Sequence, residues 1–113
     1  MESKTVQALN KMIEHAEKTM EFTKGMNYDA FRNDERTIDA CIMRISQIGE
    51  VVKHVDKSAM NKYPNIQWHA MKNLRNKIVH DYDGIQYRFI WRIIERDLSQ
   101  LIEDLKKIVE SEK

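Results

Sequence analysis

The chain has 113 residues, of which 33% are charged and 42% hydrophobic, and its 19 lysines and arginines nearly balance its 18 aspartates and glutamates. This composition excludes a disordered polymer, a membrane-spanning chain and a strongly basic nucleic-acid binder, so any contact with RNA has to be local. One cysteine, Cys41, excludes an internal disulfide and a cysteine metal cluster, and we expect it to be a buried, inert thiol. We expect one domain, residues 1–113, of a cytosolic protein without a signal segment.

The first two predicted helices are marked by apolar residues that recur at spacings of three and four. The first covers roughly residues 4–22, and we expect Gly25 to end it and a short loop to follow around residues 26–31. Asn33 or Asp34 can cap the second helix. The apolar stripe of this helix runs from Ile38 to Val55 and includes Gly49, where a missing side chain allows another helix to approach closely.

The second half of the chain predicts a polar loop over residues 57–66 and then two more helices. The third helix starts near Ile66 and ends between Asp81 and Gly84, and the fourth starts just after Gly84. The apolar positions of these two helices are Met71, Leu74, Ile78, Ile90, Ile94, Leu98, Leu101, Leu105 and Ile108. Four helices with short connections predict an all-α fold, an antiparallel four-helix up-and-down bundle with room for one extra short helix.

The third helix carries an arginine, an amide, a histidine and a tyrosine within eight positions, namely Arg75, Asn76, His80 and Tyr82. A guanidinium can clamp phosphate oxygens and stabilise developing negative charge. A histidine can take a proton from a ribose 2′-hydroxyl or give one to the leaving oxygen, and a tyrosine can bind phosphate or stack on a base. These residue types therefore suit the cleavage of a phosphodiester, and they call for no cofactor.

Helical geometry separates these side chains. At 100° per residue, Arg75 and Tyr82 lie near each other beside the apolar face, whereas His80 lies on the opposite side together with Asn76. Either the helix deforms before Gly84, or a second copy of the chain completes the site. We favour the second interpretation, a homodimer whose two third helices face a shared cleft.

Simpler interpretations of the same residues remain open. Arg75 could equally pair with a carboxylate such as Glu50 in a purely structural ion pair. His80 could be merely an exposed histidine, and Tyr82 could lie at the edge of the core. A metal site is not expected, because the chain lacks the Glu-x-x-His pairs of di-iron helical bundles.

The run from Arg75 to Tyr82 resembles the motif of HEPN ribonucleases, in which arginine, four residues, histidine, one residue and tyrosine follow one another. Asn76 directly after the arginine and Asp81 directly after the histidine are also typical. The flanking segments resemble HepT-like proteins of this superfamily over nearly the whole chain. These segments are Phe22-Thr23-Lys24-Gly25, Thr37-Ile38-Asp39-Ala40, Ile48-Gly49-Glu50 and Tyr63-Pro64-Asn65-Ile66-Gln67-Trp68.

The resemblance implies a toxin of a two-component toxin–antitoxin module. It implies a homodimeric helical bundle that cleaves RNA, either transfer RNA or messenger RNA, without a metal ion. Arg75 and His80 would then be catalytic, and Asn76 and Asp81 would support them. Tyr82 would be the residue that the antitoxin, a minimal nucleotidyltransferase, modifies with AMP to silence the nuclease.

A non-catalytic subunit that binds nucleotides or a nucleotidyltransferase partner is the competing interpretation. The net charge of +1 suits such a subunit better than it suits an avid RNA binder. A purely structural dimerisation module ranks last, because it leaves the cluster from Arg75 to Tyr82 unexplained.

Overall fold

The computed structural model describes residues 1–113, and every regular element in it is helical. The α-helices are α1 (Ser3–Phe22), α2 (Tyr28–Arg32), α3 (Glu35–Val51), α4 (Lys57–Lys62), α5 (Trp68–His80), α6 (Tyr87–Arg92) and α7 (Leu98–Ser111). Two 3-10 turns, Val52–His54 and Tyr82–Gly84, follow α3 and α5, and a π-helical turn, Ile93–Asp97, joins α6 to α7. None of these helices combines the length and the apolarity that a membrane crossing requires.

Short polar side chains fix where several of these helices begin. The Asp34 carboxylate accepts a hydrogen bond from the backbone N–H of Thr37 at 3.1 Å, which caps α3 as the sequence predicted. Two further caps begin helices where the sequence analysis expected loops. Asn27 caps α2, and Asp56 caps α4 by accepting from the N–H of Ala59 at 2.8 Å. The prediction of loops around residues 26–31 and over 57–66 was therefore wrong for residues 28–31 and 57–62, whereas residues 26–27 and 63–66 do connect helices.

The four long helical segments form the predicted bundle. Helix α1 packs against α3 and α7, and α3 also packs along α5 in the antiparallel direction. The core contains the fully buried side chains of Leu9, Met12, Phe31, Ile38, Cys41, Ile90 and Leu105. Burial raises the pKa of the Cys41 thiol to about 12, which keeps it protonated, as expected for an inert cysteine. The all-α bundle predicted from the sequence is confirmed.

Helix α5 makes only sparse contact with the last helical segment, α6 to α7. An apolar groove of about 500 Å³ separates the two, and the buried residues Ile45 and Ile48 of α3 lie among its lining residues. Leu74 lines the groove from α5, and Leu101 lines it from α7. Helix α5, which carries the candidate motif, therefore packs on the bundle mainly through α3.

Candidate active site on α5 and α3

The close approach of α5 to α3 depends on Gly49. A Cβ atom at this position would lie 2.3 Å from the carbonyl oxygen of Met71 and 2.6 Å from the Cβ of Arg75. Both distances are far shorter than an ordinary van der Waals contact, so only glycine fits here. The prediction that Gly49 permits a close helix approach is confirmed, and the approach brings Arg75 within reach of the next residue of α3, Glu50.

The guanidinium of Arg75 is held from two sides. Its Nε forms an ion pair with Oε2 of Glu50 at 2.9 Å, and its Nη1 donates a hydrogen bond to Oδ1 of Asn76 at 3.1 Å. The side chain keeps 34% of its surface exposed, and Nη2 makes no hydrogen bond within the protein. One edge of the positioned, permanently charged guanidinium therefore faces solvent, where its N–H groups can donate to phosphate oxygens.

Glu50 is the carboxylate that the sequence analysis named as a partner of Arg75 in a purely structural ion pair. Its side chain is partly exposed, not buried. It also contacts the ammonium group of Lys53. The hydrogen bond from Lys53 and the charge of Arg75 lower the pKa of Glu50, so this carboxylate stays ionised and keeps hold of the arginine. A pair that is this exposed contributes little to stability, so stability alone does not account for it.

His80 is the last residue of α5, and its side chain is exposed. It makes no hydrogen bond to Arg75 or to any other side chain of the protein. This placement agrees with the projection that put His80 away from the apolar face. Within one chain, the structure does not bring the arginine and the histidine into contact.

Tyr82 lies beyond the end of α5, in the 3-10 turn, so the helical projection that placed it beside Arg75 does not apply. Its hydroxyl donates a hydrogen bond to Oδ1 of Asp39 on α3, and the side chain remains 46% exposed. This hydrogen bond and partial burial raise the pKa of Tyr82 to about 12. Arg75 and Tyr82 thus both contact α3, but at positions eleven residues apart.

Asp81 occupies the C-terminal cap position of α5 and shapes the turn that carries Tyr82. The Asp81 carboxylate packs against Gly84, where a Cβ atom would require the Asp81 side chain to move. The backbone N–H of Gly84 donates to the Asp81 carbonyl at 3.1 Å. The structure thus gives Asp81 a part in the turn, and it shows no bond from its carboxylate to His80.

Exposed apolar side chains border these polar groups. Met43 is 59% exposed and lies one turn after Asp39 on α3, whereas Val79 is 55% exposed and lies one turn after Arg75 on α5. The antiparallel register that pairs Glu50 with Arg75 and Asp39 with Tyr82 sets Met43 opposite Val79. These two exposed side chains therefore lie at similar levels on neighbouring helices, next to the polar groups of the candidate site.

Sequence reasoning missed the role of Asp39. The residue was noted only as part of a segment that resembles a family. The signal that could have found it is the register: if Glu50 faces Arg75 across an antiparallel pair, a carboxylate three turns before Glu50 faces the region after His80.

The fold and this cluster define a class of protein, an all-helical domain with an arginine and a histidine on one exposed helix. A family model described as "Ribonuclease HepT-like" matches residues 12–108. The chain belongs to this family, which is part of the HEPN superfamily, and the resemblance expected from the sequence is confirmed.

Individual relatives agree with the family assignment. The chain is 36% identical over 110 residues to a protein of Methanocaldococcus jannaschii named as a candidate RNase, covering 96% of this chain and 91% of the relative. It is 30% identical over 105 residues to a protein of Caldanaerobacter subterraneus that is also named as a candidate RNase, and the match covers 93% of this chain and 94% of the relative. A protein of Thermococcus cleftensis named as a probable ribonuclease HepT is 29% identical over 100 residues, covering 88% and 91%. No solved structure gives a significant match.

Proposed function

We propose that this chain is a metal-independent endoribonuclease and the toxin of a toxin–antitoxin module, with Arg75 and His80 as its catalytic residues. The observation that carries the proposal is the guanidinium of Arg75, which Glu50 and Asn76 hold while one edge stays open to solvent. The family of the chain and the names of its relatives support RNA as the substrate. Transfer RNA and messenger RNA are the two classes we expect, in the cytoplasm.

The proposed reaction is a transesterification. The ribose 2′-oxygen attacks the adjacent phosphorus, and the bond from phosphorus to the 5′-oxygen of the next nucleotide breaks. One His80 side chain takes the 2′-hydroxyl proton or delivers a proton to the leaving oxygen, and water serves the other of these two proton transfers. Arg75 stabilises the charge on the phosphoryl oxygens. The products are a 2′,3′-cyclic phosphate and a free 5′-hydroxyl.

The active form in this proposal is a homodimer with the site at the cleft between its subunits. Arg75 and His80 do not meet within one chain, and the exposed apolar side chains of Met43 and Val79 lie near them. Burial of these two side chains against a second copy would favour association and bring the arginine of one subunit near the histidine of the other. We take the whole chain, residues 1–113, as one domain of this dimer.

Control of the nuclease in this proposal acts on Tyr82. A nucleotidyltransferase antitoxin of the minimal type transfers AMP to its exposed hydroxyl. The added phosphate brings negative charge and bulk to the surface that also carries Arg75, where it would compete with the RNA backbone.

The test of catalysis is RNA cleavage in the presence of EDTA. We expect the wild type to cleave, and we expect His80→Ala and Arg75→Ala each to lower the rate at least about a hundredfold. His69→Ala is the matched control, because His69 is also exposed on α5 but lies in its first turn. If neither the wild type nor any variant cleaves RNA but the wild type binds nucleotides, the result would instead support a non-catalytic subunit. Cleavage products with 5′-phosphate and free 3′-hydroxyl ends would refute the mechanism.

The test of the shared site is a mixing experiment. Arg75→Ala and His80→Ala chains are unfolded together, refolded and assayed. If each site takes its arginine from one subunit and its histidine from the other, every mixed dimer has one intact site of two. About half of the dimers are mixed, so the mixture regains about a quarter of the wild-type activity. If both residues must come from one chain, the mixture stays as inactive as its components.

A further inference from the structure

The hydrogen bond between Tyr82 and Asp39 joins a turn to a helix that lies 43 residues earlier in the chain. The tyrosine hydroxyl is the donor, and the carboxylate is the acceptor. Asp39 takes part in none of the ion pairs of the structure. No lysine or arginine therefore neutralises the exposed Asp39 carboxylate, and its side-chain hydrogen-bond partner is the Tyr82 hydroxyl.

Exposure alone does not single out Tyr82 among the tyrosines. Tyr87 is 40% exposed and Tyr82 46%, but the hydroxyl of Tyr87 has no hydrogen-bond partner within the protein. Tyr63 does have a carboxylate partner, Glu112, but Lys62 and the N-terminal ammonium group also contact that carboxylate. The bonds from Lys62 and Tyr63 lower the pKa of Glu112 to about 2, which makes it a poor proton acceptor.

From this geometry we infer that Asp39 is a further catalytic residue, the base that receives the hydroxyl proton of Tyr82 when a nucleotidyl group is transferred to this tyrosine. The inference rests on the proposed function, because it takes Tyr82 as the modified residue. It adds a residue of this chain to a reaction otherwise assigned to the partner enzyme, and it explains why Tyr82 is chosen over Tyr87.

The Oη atom of Tyr82 attacks the α-phosphorus of a nucleoside triphosphate held by the nucleotidyltransferase. A phosphorus–oxygen bond to Oη forms, the bond from the α-phosphorus to the β-phosphate oxygen breaks, and pyrophosphate leaves. The proton of Oη passes to the Asp39 carboxylate and then to solvent. A tyrosine with a pKa of about 12 holds almost no phenolate at neutral pH, so the proton has to leave during the transfer itself.

The experiment measures the initial rate at which labelled AMP is transferred from ATP by the minimal nucleotidyltransferase of the source genome. Substitution of Asp39 by Asn keeps an oxygen acceptor beside Tyr82 but removes the base, and Asp39→Glu restores a carboxylate. We expect Asp39→Asn to lower the rate about a hundredfold near neutral pH and Asp39→Glu to recover part of it. Asp83→Asn is the matched control, because Asp83 lies in the same turn and makes no hydrogen bond to Tyr82.

The pH profile separates a base from a residue that only orients the tyrosine. The titratable groups that face Tyr82 are Asp39 on α3, Asp83 in its own turn and Tyr87 on α6. The ratio of the wild-type rate to the Asp39→Asn rate cancels the titration of the partner enzyme. We expect this ratio to shrink as the pH rises, because hydroxide takes over the removal of the proton.

The outcomes keep the two proposals apart. Wild-type labelling that disappears in Tyr82→Phe, persists in Tyr87→Phe and falls in Asp39→Asn supports the role of Asp39. Labelling of Asp39→Asn at the wild-type rate, with circular dichroism showing both proteins folded, overturns this role and leaves the modification of Tyr82 standing. No labelling of the wild type under any condition overturns the modification itself and the role of Asp39 with it.

Discussion

Substitution of Gly49 by Ala tests whether the contact between α3 and α5 positions the candidate active site. The new methyl group would lie 2.3 Å from a carbonyl oxygen and 2.6 Å from a Cβ atom, about 1 Å or more inside ordinary contact. Neither atom is the flexible end of a side chain, so α5 itself has to retreat. Overpacking of this kind costs up to about 3 kcal/mol. The better helix propensity of alanine returns about 1 kcal/mol, which leaves a net loss of about 2 kcal/mol in the free energy of unfolding.

The same retreat would carry Arg75 away from Glu50. A displacement of about 1 Å at a catalytic group can lower a rate about a hundredfold, so RNA cleavage should fall far more than the folded fraction does. Urea unfolding followed by circular dichroism gives the stability, and a cleavage time course gives the rate. Ser46→Ala, in the same helix, should stay within about 0.5 kcal/mol of the wild type. Wild-type stability of Gly49→Ala would refute the packing argument, and lost stability with an unchanged rate would refute the link to Arg75.

Three further predictions concern the fold rather than the site. Arg44 donates a hydrogen bond to Nδ1 of His15 at 3.1 Å. Burial of the imidazole, and next the charge of Arg44, lower the pKa of His15 in the folded protein. Neutral His15 therefore stabilises the fold above about pH 6.5, and this contribution is lost as the pH falls and the histidine takes up a proton. Urea unfolding should therefore show a decline towards about pH 5 that His15→Gln lacks, and equal declines would contradict this assignment. Leu105→Ala should lower the free energy of unfolding by about 3 kcal/mol, because Leu105 is fully buried; a urea midpoint near that of the wild type would argue against a tight core. Asp34→Ala should cost about 1 kcal/mol in the same assay, since it leaves the N–H of Thr37 uncapped, and Asp34→Asn should retain most of that stability.

The long helices could be predicted because each buries one apolar stripe over several turns. The period of the stripe placed α1 within one or two residues of its observed bounds, and the cap at Asp34 was visible as well. The two short helices were missed, although their caps, Asn27 and Asp56, stand in the sequence. Five or six residues are too few for a period to recur, so the loop composition dominated the prediction.

The candidate site could be predicted in part. The residue types on α5 predicted phosphodiester cleavage, which stays a prediction, and Glu50 was named as a partner of Arg75 in the structural interpretation. The bond from Tyr82 to Asp39 could not be read from either segment alone, because it depends on the register of two helices and on the end of α5 at His80. The relation between Arg75 and His80 remains a prediction, since it concerns a second copy of the chain.

The groove between α5 and the last helical segment has a consequence for how the molecule opens. A helix fastened along one neighbour loses fewer contacts on detaching than a helix held by two. The backbone amides of α5 should therefore exchange with deuterium faster than those of α1 and α3, through openings that leave the rest of the bundle folded. Helix α5, which bears the motif, would then be the first helix to detach from the folded bundle. A molecule that fills the groove beside α5 should slow this detachment and the exchange of its amides.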